Sequence, residues 1–78
     1  MLRPSKHADP SLSVLNIAGL VIEILQQNKI QTHDDLLASL THQTSESVKE
    51  VYHYALSFLY LVGKLEYIPE IDALRIRQ

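Results

Sequence analysis

The sequence predicts a mainly helical α+β domain in which three helices are followed by a small C-terminal β-hairpin. Two long segments, 11–28 and 45–62, carry apolar side chains at helical spacing, and a shorter helical segment lies between them. Residues 64–77 instead alternate apolar and polar side chains in two short runs, as half-buried strands do. We therefore expect one domain over residues 11–78, preceded by an extended arm at residues 1–10.

Prolines define the arm and the start of the first helix. Residues 1–10 contain two of the three prolines in the chain, and proline resists helix and favours extended backbone. Asp9 followed by Pro10 fits an N-cap and a first helical position, because proline loses no hydrogen bond there. Ser11 or Ser13 is an alternative cap for the same helix.

The first helix runs to about Asn28 and is apolar over most of its circumference. Its polar positions form one narrow stripe, made of Asn16, Gly19, Glu23, Gln26 and Gln27. A surface helix needs an apolar face of only about 100°. A chain of 78 residues buries only about 60 to 65% of its unfolded surface. The helix therefore has more apolar surface than we expect one small domain to cover.

Capping residues mark the second and third helices. Thr32 stands three residues before Asp35, which is the spacing of a capping box with aspartate in place of the usual glutamate. Thr44 or Ser45 is expected to cap the third helix, which reaches about Val62. This helix is also apolar on most sides after its first turn, because it contains the run YHYALSFLYLVG.

The chain ends in a predicted hairpin. Gly63 fits the left-handed residue that closes a helix, and residues 69–72 make the turn between two strands. Glu66 is expected to pair with Arg75 or Arg77 across the outer face. Three helices followed by such a two-stranded wing give the order of a winged helix-turn-helix domain, and we predict a fold of that kind.

Composition narrows the class of protein and its location. The net charge of −2 produces no field that would attract nucleic acid or an anionic membrane. The chain has no cysteine, which fits a reducing compartment. It shows no signal-peptide core, and its longest apolar run is too short and too interrupted to cross a bilayer. These features predict a soluble cytoplasmic protein.

The sequence offers no catalytic, metal or cofactor site. The four histidines show no paired i,i+4 spacing and no cysteine accompanies them: His7, His33, His42 and His53. Asp34 and Asp35 point about 100° apart on a helix and are explained by capping. Two glycines cannot build a phosphate-binding loop. We therefore expect a protein that is not an enzyme and holds no cofactor and no metal.

The excess apolar surface predicts a tightly bound protein partner instead. Exposed apolar patches beyond a few hundred Å² usually mark interaction sites, and tyrosine is favoured at such sites. The candidate partner-binding residues on the first helix are Val14, Ile17, Val21 and Ile24. Those on the third helix are Tyr54, Phe58, Tyr60 and Leu61.

Two other functions remain open from the residues. A small DNA-binding regulator would use Arg75 and Arg77 of the wing. The exposed face of its third helix would have to enter the major groove, and that face carries two carboxylates against one lysine: Glu46, Lys49, Glu50, His53 and Ser57. A homodimer built on the first helix is the remaining possibility.

The arm and first helix, LRPSKHADPSLSVLNIAGLVIEIL, resemble the start of a family of very small proteins. This family is the sixth class of middle component in bacterial ABC-three-component systems. The resemblance lies in a Pro-x-Lys-His element, formed by Pro4, Lys6 and His7, and in the step from Pro10 to Ser13. The later helix ending ALSFLYLVGKLEY, followed by a terminal strand, is similar in length and pattern.

The resemblance implies an accessory subunit without chemistry of its own. Such a subunit would join an ATPase like those of chromosome-maintenance (SMC) and double-strand-break-repair proteins to an effector nuclease. It would keep the effector silent until foreign DNA ends are sensed, as in the Lamassu anti-phage systems. The family has no catalytic residues to carry over, and the resemblance implies that Pro4, Lys6 and His7 dock the arm on a partner.

Overall fold

A computed structural model describes residues 13–77. Pro4, Lys6 and His7, with the rest of the predicted arm, lie outside the described residues. The helices are α1 (Val14–Asn28), α2 (His33–Gln43) and α3 (Lys49–Leu61), and a 3-10 turn (Glu46–Val48) leads into α3. The strands are β1 (Ile30–Thr32), β2 (Leu65–Ile68) and β3 (Ala73–Ile76). The predicted α+β fold, with three helices and a C-terminal hairpin, is confirmed.

Side-chain caps fix the starts of α1 and α2. The Ser13 hydroxyl accepts a hydrogen bond from the Asn16 backbone N–H at 3.1 Å. The prediction that Asp9 caps this helix is therefore wrong, and the Ser13 alternative is confirmed. Thr32 accepts from the Asp35 backbone N–H at 3.1 Å, as predicted. Each contact satisfies one of the N–H groups that a helix start leaves without an intrahelical partner.

Gly63 and Lys29 end two of the helices. Gly63 has a φ of 73° and follows α3, as predicted. Lys29 has a φ of 66°, although it is not glycine, and its N–H donates to the Leu25 carbonyl at 2.8 Å. This positive φ stops α1 and turns the chain directly into β1.

The sheet has three strands, so the prediction of a two-stranded wing is incomplete. The strand order is β1-β3-β2, and β3 is antiparallel to both neighbours. Ile30 of β1 pairs with Arg75, and Glu66 of β2 pairs with the same arginine from the other side. The element order α1-β1-α2-α3-β2-β3, with β3 in the centre, is the winged helix-turn-helix arrangement.

The three helices and one face of the sheet enclose a single apolar core. Its members are at most 6% exposed, and those contributed by the helices are Ile17, Ala18, Val21, Ile24, Leu25, Leu36, Leu40, Val51, Tyr52, Ala55, Leu56 and Leu59. Val48 precedes α3, and Leu65 and Leu74 join the core from the sheet. The chain therefore covers by itself much of the apolar helix surface that we expected a partner to cover.

None of the helices within residues 13–77 is both long enough and apolar enough to cross a membrane.

Candidate protein-interaction surface

Helix α3 carries an exposed apolar ridge. Tyr54, Phe58 and Leu61 recur at intervals of four and three residues, which places them along one side of the helix. Tyr54 is 65% exposed and Leu61 is 85% exposed, while Phe58 is half-buried. Val62, just beyond the helix, is 50% exposed and extends the apolar surface. These four residues are called the α3 ridge below.

The ridge is exposed because the core uses another side of α3. Tyr52, Ala55 and Leu59 repeat at the same helical intervals and are at most 3% exposed. At 100° per residue, Leu61 lies about 160° from Leu59 around the helix axis. The fold therefore positions the ridge firmly, because the opposite side of α3 is held by the core.

Tyr67 belongs to a separate aromatic cluster, which it forms with Tyr52 and His33 between α3 and the sheet. The His33 ring lies 5.9 Å from the Tyr67 ring and 6.0 Å from the Tyr52 ring, measured between centroids. His33 Nδ1 and the Tyr52 hydroxyl form a hydrogen bond at 2.8 Å. The Tyr67 hydroxyl donates to the Asp72 carboxylate. These contacts tie the start of α2 to α3 and to the hairpin.

The tyrosine hydroxyls of this cluster are held in their neutral form. Burial raises the pKa of Tyr52 well above its usual value, and the negative charges of a Tyr60 phenolate and of Asp72 and Asp34 add to the effect. Burial also raises the pKa of Tyr60. The hydrogen bond to Asp72 is the main cause that raises the pKa of Tyr67. At neutral pH these hydroxyls are therefore un-ionised and take part in hydrogen bonds and packing.

The structure separates the predicted partner-binding residues into two groups. Ile17, Val21 and Ile24 lie in the chain's own core, with exposures of 0%, 0% and 5%. A partner that binds the folded chain does not reach them, so they are not part of the surface proposed below. Val14 is half-buried against the same core. Tyr54, Tyr60 and Leu61 are exposed, and Phe58 is half-buried.

Sequence reasoning missed Leu15 and Val62 as surface candidates. Leu15 is 67% exposed on α1, about 200° around the helix from the buried Ile17. The only sequence signal for their exposure is their spacing from the core positions. This spacing can be interpreted only once the core side of each helix is known. Gly19, one turn after Leu15, has no atom within 4 Å of the position its Cβ would occupy. The backbone there is open on this side.

The structure offers little unpaired positive charge on α3 and on the outer face of the hairpin for binding DNA. Lys49 on α3 is paired with Glu46, at 2.8 Å between Nζ and Oε1. Arg75 is paired with Glu66, at 2.8 Å between Nε and Oε1, as the hairpin prediction expected. Two of the cations that phosphate would attract are therefore already in contact with carboxylates.

The described residues also show no cluster that would hold a metal ion. Among residues 13–77, no three histidine, aspartate or glutamate side chains come together in this way. The histidine with a polar side-chain contact, His33, uses it to hold Tyr52.

The fold defines the class: a small winged-helix-like α+β protein that exposes an apolar ridge on α3. The chain belongs to the family described as ABC-three component (ABC-3C) system Middle Component 8, because the family model matches residues 29–76, more than half of the chain. No curated protein and no solved structure gives a significant match.

The family assignment corrects the expected class of middle component. The prediction of the sixth class is wrong, since the matching model is that of Middle Component 8. The expectation rested on a short, loose element in the arm, and also on the start of the first helix and on the length and pattern of the later helix ending ALSFLYLVGKLEY. The matched residues begin at the end of α1 and run through the sheet, so they do not include that element.

Proposed function

We propose that this chain is a non-enzymatic adaptor in an ABC-three-component anti-phage complex. It binds an ATPase of the chromosome-maintenance (SMC) and double-strand-break-repair type and couples that ATPase to an effector nuclease, or restrains the nuclease. Membership of a middle-component family supports a role between two other components. The chain itself supplies binding surface, while the ATPase and the effector supply the chemistry.

The observation that carries this proposal is the α3 ridge. Leu61 and Tyr54 are largely exposed in a chain whose core is otherwise closed. Large apolar side chains exposed next to one another mark interaction sites more often than scattered single ones do. An aromatic residue and a leucine on one rigid helix also resemble the anchors that dominate binding energy at interfaces. We therefore assign the ridge as the main contact with a partner.

Co-expression tests the proposed function. The tagged chain is co-expressed with the ATPase and effector of the same system, and then with each alone. We expect a stable complex whose mass includes at least one of these partners. A chain that elutes alone as a stable monomer in all three experiments would contradict the proposal, and a chain that elutes as a homodimer would favour the dimer hypothesis instead.

Cross-linking tests whether the ridge is the contact. A photo-reactive phenylalanine analogue replaces Tyr54, which preserves an aromatic side chain at that position. The same analogue replaces Gln43, an exposed residue at the end of α2, as the matched control. We expect light-dependent adducts with the ATPase or the effector from position 54 and few from position 43. The reverse pattern would show that the partner binds elsewhere on the chain.

A further inference from the structure

A second surface, distinct from the α3 ridge, lies where the end of α1 meets the sheet. An open groove of about 600 Å³ is lined there by α1, β1, β2 and β3. Its apolar lining comes from Leu25, Ile30 and Ile76, and Ile30 is 43% exposed. Its polar lining is Gln26, Lys29, Glu66, Arg75 and Arg77. This basic groove shares no residue with the α3 ridge.

The groove gathers positive charge that the rest of the described chain does not have. Residues 13–77 contain five lysines and arginines, and three of them line the groove: Lys29, Arg75 and Arg77. Lys64 lies beside it, because its carbonyl accepts the Arg77 backbone N–H at 2.8 Å. Against these cations, the groove lining contains one carboxylate, that of Glu66.

Two cations of the groove are available to a ligand. Arg75 is held by Glu66. Among the residues that the structure describes, Lys29 and Arg77 are not paired with a carboxylate, and both are exposed. Lys29 is also fixed in position by its cap hydrogen bond to Leu25 and by the strand that follows it. The groove therefore presents two unpaired charges beside an apolar lining.

We propose that the basic groove binds an acidic segment of a partner polypeptide that carries one apolar anchor. The anchor packs against Ile30 and Ile76, and carboxylates on either side of it lie next to Lys29 and Arg77. The volume is within the usual range of ligand pockets. Charge complementarity of this kind speeds association and selects the partner.

A protein segment fits this groove better than duplex DNA does. The phosphate backbone of a duplex is a convex, fully charged surface, and it gains nothing from the apolar lining. An acidic peptide with a leucine or phenylalanine uses both kinds of lining at once. The proposal does not depend on the α3 ridge, so each surface can fail its test independently.

The test is a titration of the full chain with model peptides, followed by NMR of the backbone amides. The first probe is a short peptide of glutamates and aspartates around one central leucine. The second replaces the carboxylates by amides, and the third is a short duplex DNA. We expect the acidic peptide to shift the signals of Lys29, Ile30 and Arg77, with an affinity at least about tenfold above that of the amide peptide.

Matched charge reversals locate the binding site. Lys29→Glu and Arg77→Glu should each weaken binding of the acidic peptide several-fold, and both together by about tenfold or more. Lys49→Glu changes charge equally per residue at a site outside the groove and should leave the affinity nearly unchanged. Equal binding of the two peptides, equal loss in the Lys49 variant, or tighter binding of the duplex at the same residues would each overturn the proposal.

Discussion

Replacing Leu61 by alanine should separate partner binding from folding. Leu61 is 85% exposed on the α3 ridge, so the isolated chain has little packing to lose at this position. We expect the free energy of unfolding to change by less than about 0.5 kcal/mol, as for most surface substitutions. Urea denaturation of the purified variant measures this change.

The same substitution should have a much larger effect on the free energy of binding to a partner. Burying a leucine side chain completely is worth about 1.5 to 3 kcal/mol. Since 85% of Leu61 remains exposed in the free chain, a partner that covers it can gain about 1.3 to 2.6 kcal/mol. Losing that gain corresponds to about a 10- to 70-fold weaker affinity. Titration calorimetry of the variant against the ATPase or effector that co-purifies with the native chain measures this loss.

Ile71→Ala is the matched control for Leu61→Ala. Ile71 is 53% exposed in the hairpin turn, outside the α3 ridge, so its truncation should change affinity by less than about twofold. The reasoning is refuted if Leu61→Ala binds the partner as tightly as the native chain does. It is also refuted if the isolated Leu61→Ala chain is destabilised by several kcal/mol, because the side chain would then be needed for folding.

Four further predictions concern the fold. Tyr52→Phe removes the hydrogen bond to His33 and should cost about 1 kcal/mol of stability by urea denaturation, whereas Tyr54→Phe on the exposed side should stay within about 0.5 kcal/mol; equal effects would contradict the role given to the contact. Burial raises the pKa of Tyr52 in the folded chain. The stability that depends on its neutral hydroxyl is therefore complete below about pH 10 and is lost as the pH rises past that value. Tyr52→Phe should accordingly lose less stability than the native chain between about pH 9 and pH 11, and parallel losses would exclude this cause. Leu40→Ala leaves a cavity at a position with 0% exposure and should lower the free energy of unfolding by about 2 to 5 kcal/mol; a change below about 1 kcal/mol would mean that the core is not packed as described. Gly19→Ala places a methyl group in open space on α1 and should raise the melting temperature through a gain of about 0.5 to 1 kcal/mol, so a lower melting temperature would show that this side of α1 is covered.

The helices and most of their ends were predictable because their signals are local. The start of α3 was not, because Ser45 caps the 3-10 turn before it, and Val48, the residue before α3, makes no side-chain cap. Ser13 and Thr32 each contact an N–H three residues further on, so the cap and its partner stand in the same short stretch of sequence. Gly63 likewise ends α3 through its own backbone conformation. The hairpin was also predictable, since its two strands are separated by one turn.

Strand β1 was missed because the strand that it pairs with is distant in the sequence. It has only three residues, too few for an alternating pattern to be recognised. Its partner β3 lies at the other end of the described chain. A strand of this kind exists because another strand offers it hydrogen bonds, and single-sequence patterns do not contain that information.

The candidate surface was predictable in part. The sequence shows that α1 and α3 are apolar on most sides, but it does not show which side the fold covers. Ile17 and Leu15 are both aliphatic and two positions apart, yet the first is fully buried and the second is largely exposed. Only the packing of α1 against its neighbours separates them. The basic groove is a clearer case, because Lys29 and Arg77 become neighbours only through the pairing of β1 with β3.

The central position of β3 also affects how the protein is made. The three helices, β1 and β2 are synthesised before β3, and β1 and β2 each pair only with β3 in this sheet. The helices can therefore collapse on one another early, while the sheet forms only when the last strand is added between the other two. Until β3 is in place, the edges of β1 and β2 are unpaired, and unpaired strand edges in a partly folded chain promote aggregation.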